Sequence, residues 1–320
     1  MAQSPLALVT GAGGQDGTIL TRELTRRGWD CIGVYSSQVQ IPDDLAVGIT
    51  PVVCELADLD AARGLISGHR PTHVFHLAAV SSVAATWSDP VGTSRINAEL
   101  PIALMAQCLD MGSAAPRFIN ASSGEVFAGS PDRPQTELSA LAPASPYGAA
   151  KAYALTMGRI FRDKGLFCSN AILYNHESPF RAKDFVTRKI TSTVAAISAG
   201  QASVLTLGNL DAQRDWGWAP DYVDAMIRMA EHPNPDDFVV ATGVVHSVRE
   251  FVAAAFSAVG MDEWDDRVEV SSEFFRPNDA PVLVGDAEKA RTELGWRPTK
   301  TFEEIVAAMV REDLLSSEFC

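Results

Sequence analysis

Tyr147 and Lys151 stand four residues apart in Pro146-Tyr147-Gly148-Ala149-Ala150-Lys151, a spacing that puts both side chains on one face of a helix. An ammonium beside a phenol favours phenolate and lowers a pKa of about 10. Such a pair can act as a general base, taking an alcohol proton while hydride leaves to a nicotinamide. Long helices contain Tyr-x-x-x-Lys by chance, so the pair gains meaning only from its surroundings. One strand earlier, Arg117–Ser123 ends in Ser122 and Ser123, with Glu125 two residues on. In an open parallel sheet, ligands bind at that C-terminal edge. A Ser-Gly turn would look the same on its own; together with Tyr147 and Lys151 it marks a reaction centre.

The elements that must position this centre begin at the N-terminus. The apolar run Leu6–Thr10 stops at Gly11 and reads as a buried parallel strand. Gly11-Ala12-Gly13-Gly14-Gln15-Asp16-Gly17 follows, and helical spacing starts at Thr18. Strand, glycine turn and helix N-terminus make an anion site, because glycines admit a pyrophosphate to free N–H groups. Trp29–Tyr35 reads as the second strand. Ser36-Ser37 comes next, with neither the acid that usually bonds a ribose 2′-hydroxyl nor an arginine. Serine can bond a hydroxyl or a phosphate, which leaves NAD and NADP both open. Val52–Leu56 reads as a third strand carrying Glu55, and Ala61–Gly68 as a helix. His73–Ala79 reads as a fourth strand that runs into small residues, over which a flat ring could lie; His73 and His76 are read as structural. A helix is expected over Ile96–Met111. The pattern is α/β: a Rossmann-type doubly wound parallel sheet with a smaller C-terminal α/β substrate-binding domain.

A net charge of −14 over 320 residues argues against a nucleic-acid or anionic-membrane partner. The five cysteines are scattered without a C-x-x-C pair, which suits a reducing compartment and speaks against a disulfide framework or a metal site. No basic n-region precedes the first strand, and no apolar run reaches the ~18 residues of a membrane span. The expectation is a cytoplasmic protein.

The polar cluster Asn175-His176-Glu177-Ser178 lies between an apolar run and Pro179. Such a cluster is costly to bury unless something pairs with it. Beyond it, Val204–Gly208 reads as a strand, Asp221–Met229 as a helix and Phe238–Thr242 as a strand returning to the main sheet. Val248–Val259 and Phe302–Leu315 read as helices. Trp216 and Trp218 are read as packing rather than as stacking platforms. The expected division is a dinucleotide-binding domain over 1–173, which also receives about 215–243, and a second domain over 174–320.

Motifs along nearly the whole chain resemble the extended short-chain dehydrogenase/reductases, and within them the GDP-mannose 4,6-dehydratase family. They include the glycine turn, Tyr147-x-x-x-Lys151, Asn175-His176-Glu177-Ser178-Pro179, Phe185–Thr191, Arg214-Asp215-Trp216-Gly217, Phe275-Arg276-Pro277 and Leu294-Gly295-Trp296. The resemblance implies that Tyr147 takes the O4 proton of a GDP-sugar, that Lys151 holds the cofactor ribose, and that Ser123 bonds O4. Glu125 would remove the C5 proton and help water leave from C6. It further implies a cofactor set of Gly11, Gly14, Gln15, Asp16, Gly17, Ser36, Glu55, Leu56, Leu77, Ala78, Ala79, Ser81, His176 and Arg181, alongside Tyr147 and Lys151. The substrate set is Ser81, Asn175, Glu177, Lys189, Arg214, Arg276 and Asp279, with 174–320 as the nucleotide-sugar domain. Family habit implies NADP, with NAD as the alternative, and a homodimer or tetramer. This chain departs from the family at Tyr35-Ser36-Ser37-Gln38, where paired arginines are usual, and at Val80, Gly124 and Asp279. A Ser-Gly-acid triplet also suits a 4-keto reductase, a 4-dehydrogenase or an epimerase of the same superfamily. A non-catalytic cofactor sensor is the reading from another class.

Overall fold

The computed structural model describes residues 4–36, 41, 46–274 and 282–317. Seven short strands form one parallel sheet: β1 (Leu6–Thr10), β2 (Asp30–Tyr35), β3 (Ile49–Val53), β4 (His73–His76), β5 (Arg117–Ser123), β6 (Cys168–Leu173) and β10 (Asp237–Val240). Their order is β10-β6-β5-β4-β1-β2-β3, and every pairing is parallel. Strands of this kind are buried on both faces and so read as continuous apolar runs. Alternation splits them between two cores. Ala7, Val9, Phe75 and Ile119 join Leu20 and Leu24 of α1 (Gln15–Arg26) and Tyr222 and Met226 of α7 (Ala219–Glu231). Leu8, Val74 and Phe118 join Leu65 of α2 (Leu59–His69) and Leu104 of α4 (Leu100–Asp110).

A second group of elements lies beyond the C-terminal ends of these strands. β7 (Asn175–Glu177), β9 (Gln213–Trp218) and β11 (Val245–Ser247) form a three-stranded sheet ordered β11-β9-β7, and β8 (Leu205–Leu207) pairs with β12 (Val268–Val270). A third core joins α6 (Val186–Ser198), α8 (Val248–Ser257) and α10 (Phe302–Ser317) around Trp216 and Phe302. The remaining helices are α3 (Pro90–Ser94), α5 (Pro146–Asp163) and α9 (Glu288–Glu293). Phe238–Thr242 does return to the main sheet, as β10 against β6. The Val239 N–H on that edge donates to the Glu137 carboxylate (2.7 Å), which satisfies a group that an open edge would expose.

Several boundaries differ from the sequence reading, three of them for a visible reason. The third strand is Ile49–Val53, because β3 is an edge strand with two-sided exposure; the buried Cys54 and Leu56 belong to the turn that leads into α2. The fourth strand ends at His76, where the Thr10 hydroxyl accepts from the N–H groups of Leu77 and Ala78 (3.2 and 3.3 Å) and draws the chain off the ladder. The helix expected over Ile96–Met111 starts earlier, at Pro90, and opens into a π turn over Arg95–Glu99 before α4. Pro101 supplies the cause: it lacks an N–H, and its ring crowds the carbonyl of residue 97.

Asp237 knots the sheet edge to its covering helix. Its buried carboxylate accepts from Arg159 (2.5 Å), Arg162 (2.5 Å) and Asn170 (2.7 Å). Burial pushes its pKa up, but the two guanidinium groups and Asn170 outweigh burial and hold it below the usual value. A depressed carboxylate stabilises the fold above its unfolded pKa of about 4, and that contribution is lost as pH falls through the folded value. Asp237→Ala is expected to cost about 3–5 kcal/mol, the usual penalty for breaking a buried pair. Chemical denaturation at pH 7 measures it, and the loss should shrink when both proteins are compared at about pH 3.

Candidate active site

The glycine turn carries its glycines where geometry demands them. Gly11 has φ +74°, and a Cβ there would lie 2.8 Å from the Ala78 nitrogen; a Cβ on Gly17 would lie 2.2 Å from the Gly11 oxygen. Those two let strand, turn and helix close on one another. Gly14 is different. It is the exposed N-cap of α1, and a Cβ there would meet only the Gly11 oxygen, at 3.4 Å. The space in front of the helix N-terminus is therefore open to a ligand, and the free N–H groups of the first turn face it.

Ser123 ends β5, and its Oγ accepts from the Glu125 N–H (3.3 Å), which starts the short turn over Gly124–Phe127. Ser145 caps α5 by accepting from the Gly148 N–H (3.1 Å). A Cβ on Gly148 would lie 2.7 Å from the Glu125 carbonyl oxygen, so glycine here lets the helix start press against the Ser123–Glu125 turn. That contact brings Tyr147 to Ser123, with which its hydroxyl is hydrogen-bonded. The Lys151 ammonium donates to the Ala121 carbonyl (2.8 Å) and lies 6.0 Å from the centre of the Tyr147 ring.

The electrostatics differ from the expectation of a depressed phenol. Burial pushes the Tyr147 hydroxyl up to about 12; the Ser123 hydrogen bond works against this, and the Glu125 carboxylate adds to it. Burial also pushes the Lys151 ammonium down to about 8. The protein by itself thus drives the two pKa values apart and reverses their order in water, and leaves the phenol protonated at neutral pH. Desolvation outweighs the lysine charge because the ammonium is turned to a carbonyl rather than to the phenolic oxygen.

The junction at 174–181 is satisfied largely by protein. His176 Nδ1 lies 2.6 Å from the Tyr174 carbonyl oxygen, which only accepts, and Nε2 lies 2.9 Å from the Asp16 carboxylate. Both ring nitrogens therefore donate, and the ring is an imidazolium. Burial opposes that charge, but Asp16 more than offsets it and raises the His176 pKa; the same pairing holds Asp16 below its usual range against its own burial. Gln15 donates to the His176 carbonyl (3.0 Å) and accepts from the Ser178 hydroxyl (2.8 Å). Glu177 accepts from the Thr187 hydroxyl (2.6 Å) and pairs with Arg181 (3.3 Å). The glycine turn and β7 are thereby bolted together.

A cavity of about 540 Å³ opens over these groups. Its wall brings together Ser123, Glu125, Tyr147 and Lys151 with Asp16, Leu77, Ala79, Ser81, Asn175, His176, Glu177, Arg181, Lys189 and Arg214. Gly11, Gly14, Gln15, Gly17, Ser36, Glu55, Leu56 and Ala78 lie along the same strand ends but not on that wall. Arg276, Asp279 and the Ser37-Gln38 part of the departure after β2 fall outside the described residues. Trp216 packs on Phe251 and Phe302, as expected of a core residue. Arg188, beside Lys189, is turned away to an ion pair with Asp313.

Sequence reasoning missed Asn97, whose amide accepts from the Val80 N–H (2.8 Å) and donates to the Val80 carbonyl (3.0 Å). It clamps the small-residue segment after β4 from within the π turn, and Pro101 in a helical stretch was the signal. Thr10 was missed as well. Its oxygen already accepts from two N–H groups, so its proton goes to His76 Nδ1 (2.9 Å), and the neutral ring carries its own hydrogen on Nε2. Burial, with the Lys151 charge, pushes the His76 pKa down to about 3.

A parallel sheet with a glycine turn at β1, a serine at β5 and Tyr-x-x-x-Lys on the next helix defines an extended short-chain dehydrogenase/reductase. Solved structures of that fold match closely. UDP-glucose 4-epimerase from Thermotoga maritima superposes with TM-score 0.86 at 24% identity, covering 98% of this chain and 100% of the other. A dTDP-glucose 4,6-dehydratase from Bacillus anthracis, in complex with NAD, gives 0.84 at 19%, covering 99% and 98%. The family model for GDP-mannose 4,6 dehydratase matches residues 8–309. GDP-mannose 4,6 dehydratase 1 of Arabidopsis thaliana is 38% identical, covering 97% of this chain and 90% of the relative. The GDP-mannose 4,6-dehydratase of Sinorhizobium fredii is 37% identical, covering 98% of each. The chain belongs to the GDP-mannose 4,6-dehydratase family.

Proposed function

We propose that the family's reaction, loss of water from GDP-mannose to give GDP-4-keto-6-deoxymannose, is carried here by Ser123, Glu125, Tyr147 and Lys151. The observation that supports this most is their meeting on one cavity wall with His176, Arg181, Lys189 and Arg214. On that wall His176 and Arg181 are paired with Asp16 and Glu177, and Lys189 and Arg214 would meet a diphosphate.

The turn fits a dinucleotide: Gly14 leaves the helix N-terminus open, and Asp16 beside it is already paired with His176. Gly11 through Gly17, Leu77–Ser81, Lys151, His176 and Arg181 would hold it, with Ser36, Glu55 and Leu56 toward the adenosine. Bound there, NADP would supply a hydride acceptor for sugar C4 and the hydride for C6; NAD would serve equally. Tyr147 takes the O4 proton as C4 becomes a ketone, and Ser123 bonds O4 and holds the phenol in place. The ketone acidifies the C5 hydrogen. Glu125 removes that proton and delivers one to the C6 hydroxyl, which departs as water; as hydride adds at C6, C5 takes a proton from solvent and Tyr147 returns the O4 proton to solvent. Asn175, Glu177, Lys189, Arg214 and Ser81 would hold the nucleotide sugar, together with Arg276 and Asp279.

The wider reading is a division of labour between a dinucleotide domain over 1–173 with about 215–243 and a nucleotide-sugar domain over the rest. Exposed Trp87, Val91, Tyr153 and Ile160 lie about α3 and α5, which favours a homodimer through that face. Among the described residues no helix is long and apolar enough to cross a membrane; a cytoplasmic location suits the scattered, buried cysteines. Pure protein given GDP-mannose and a catalytic amount of NADP should form the 4-keto-6-deoxy product without accumulating NADPH. A demand for one NADPH per turnover would instead mark a reductase. No product from GDP-mannose or from a GDP-manno-heptose would overturn the reading.

A further inference from the structure

Phe274 stands on the outer wall of the cavity and takes no part in the chemistry above. Its ring is 50% exposed, yet its backbone is fixed. Val270 pairs with Leu207 across β12 and β8, the Ser271 N–H donates to the Leu207 carbonyl (2.8 Å), and the Phe274 N–H donates to the Ser271 carbonyl (3.2 Å). Gly208 permits the close approach, since a Cβ there would lie 2.4 Å from the Phe274 carbonyl oxygen. The Lys189 ammonium sits 3.7 Å from the ring centre. A cation–π contact thus covers one face of the ring and fixes its plane.

The other aromatic rings on the cavity wall are committed elsewhere. Trp216 is buried against Phe251 and Phe302, and Phe185 carries the Arg181 guanidinium at 3.8 Å. Tyr147 and Tyr174 are buried, the first bonded to Ser123 and the second donating to Gln135 (2.8 Å). Phe274 alone among these offers an exposed, fixed ring beside a cation that faces the same cavity.

We propose that Phe274 is the stacking platform for the purine base of the nucleotide sugar, and that Lys189 both props the ring and meets the adjoining phosphate. The inference rests on the GDP-sugar reading. A base stacked there is remote from C4, C5 and C6, so the contact is equal in ground and transition states and sets KM rather than kcat.

Base–aromatic stacking lost to alanine typically weakens binding by about 5- to 100-fold. With the full-length holoenzyme, Phe274→Ala should therefore raise the Kd for GDP and the KM for GDP-mannose about 10-fold, with kcat within about twofold. Phe274→Trp should restore both constants, which a purely structural role for the segment would not predict. Unchanged GDP affinity in Phe274→Ala, or a loss of kcat that Phe274→Trp fails to rescue, would overturn the assignment. A wild-type protein that binds no GDP at all would instead overturn the GDP-sugar reading itself.

Discussion

Glu125→Gln is expected to lower turnover of GDP-mannose by about 10²–10⁴-fold, the usual worth of a positioned general base, while NADP and GDP-mannose bind as before. The carboxylate lies on the cavity wall, and its backbone is held twice, by the Ser123 hydroxyl at its N–H and by the approach of Gly148 at its carbonyl. Glutamine keeps the shape and the hydrogen-bonding oxygen but cannot take a proton. In deuterated water the wild type should place solvent deuterium at C5 of the product, and the variant should lose that exchange together with turnover. Continued C5 exchange at the wild-type rate would remove Glu125 from the role of base.

Tyr147→Phe is expected to be as damaging, by about 10²–10⁴-fold, and to act earlier in the reaction. It should prevent oxidation at C4, so that no C5 exchange follows even with Glu125 intact. The pH dependence separates the two residues. With its pKa pushed up to about 12 by burial, Tyr147 is a small fraction phenolate at neutral pH, and that fraction grows about tenfold per pH unit. kcat/KM should accordingly rise with pH through the neutral range, since this ratio reports the free enzyme. The residual activity of Tyr147→Phe should lack that limb. A flat profile in the wild type would mean that another group takes the O4 proton.

Strands buried on both faces were legible because their composition alone carries the signal: Leu6–Thr10 and Arg117–Ser123 have the bounds read from the sequence. The edge strand was not, since β3 is mostly exposed and the apolar residues beside it serve the next turn. The reactive residues were legible through spacing, and Tyr147-x-x-x-Lys151 does fall on one helix beside Ser123. Their pKa values were not. Burial sets the sign for Tyr147, and the lysine ammonium, which points to Ala121, does not reverse it. The polar cluster at 175–178 was visible as a group in need of partners. Which partners depends on contacts 160 to 163 residues apart in the chain, between His176 or Ser178 and the Gln15-Asp16 pair. No local pattern announces such a contact. Asn97 is a different case: the π turn that aims its amide at Val80 arises from a proline four residues away, which is a local signal.

One cavity is expected both to remove and to return a hydrogen on the same sugar. GDP-mannose labelled with deuterium at C4, incubated with the enzyme and a catalytic amount of NADP, tests it in a single NMR or mass spectrum. The label is expected at C6 of GDP-4-keto-6-deoxymannose, with a solvent-derived hydrogen at C5 and no label in the NADPH pool. Label appearing in free NADPH or lost to solvent would contradict the internal return of hydride, and with it the assignment of this site as a 4,6-dehydratase centre.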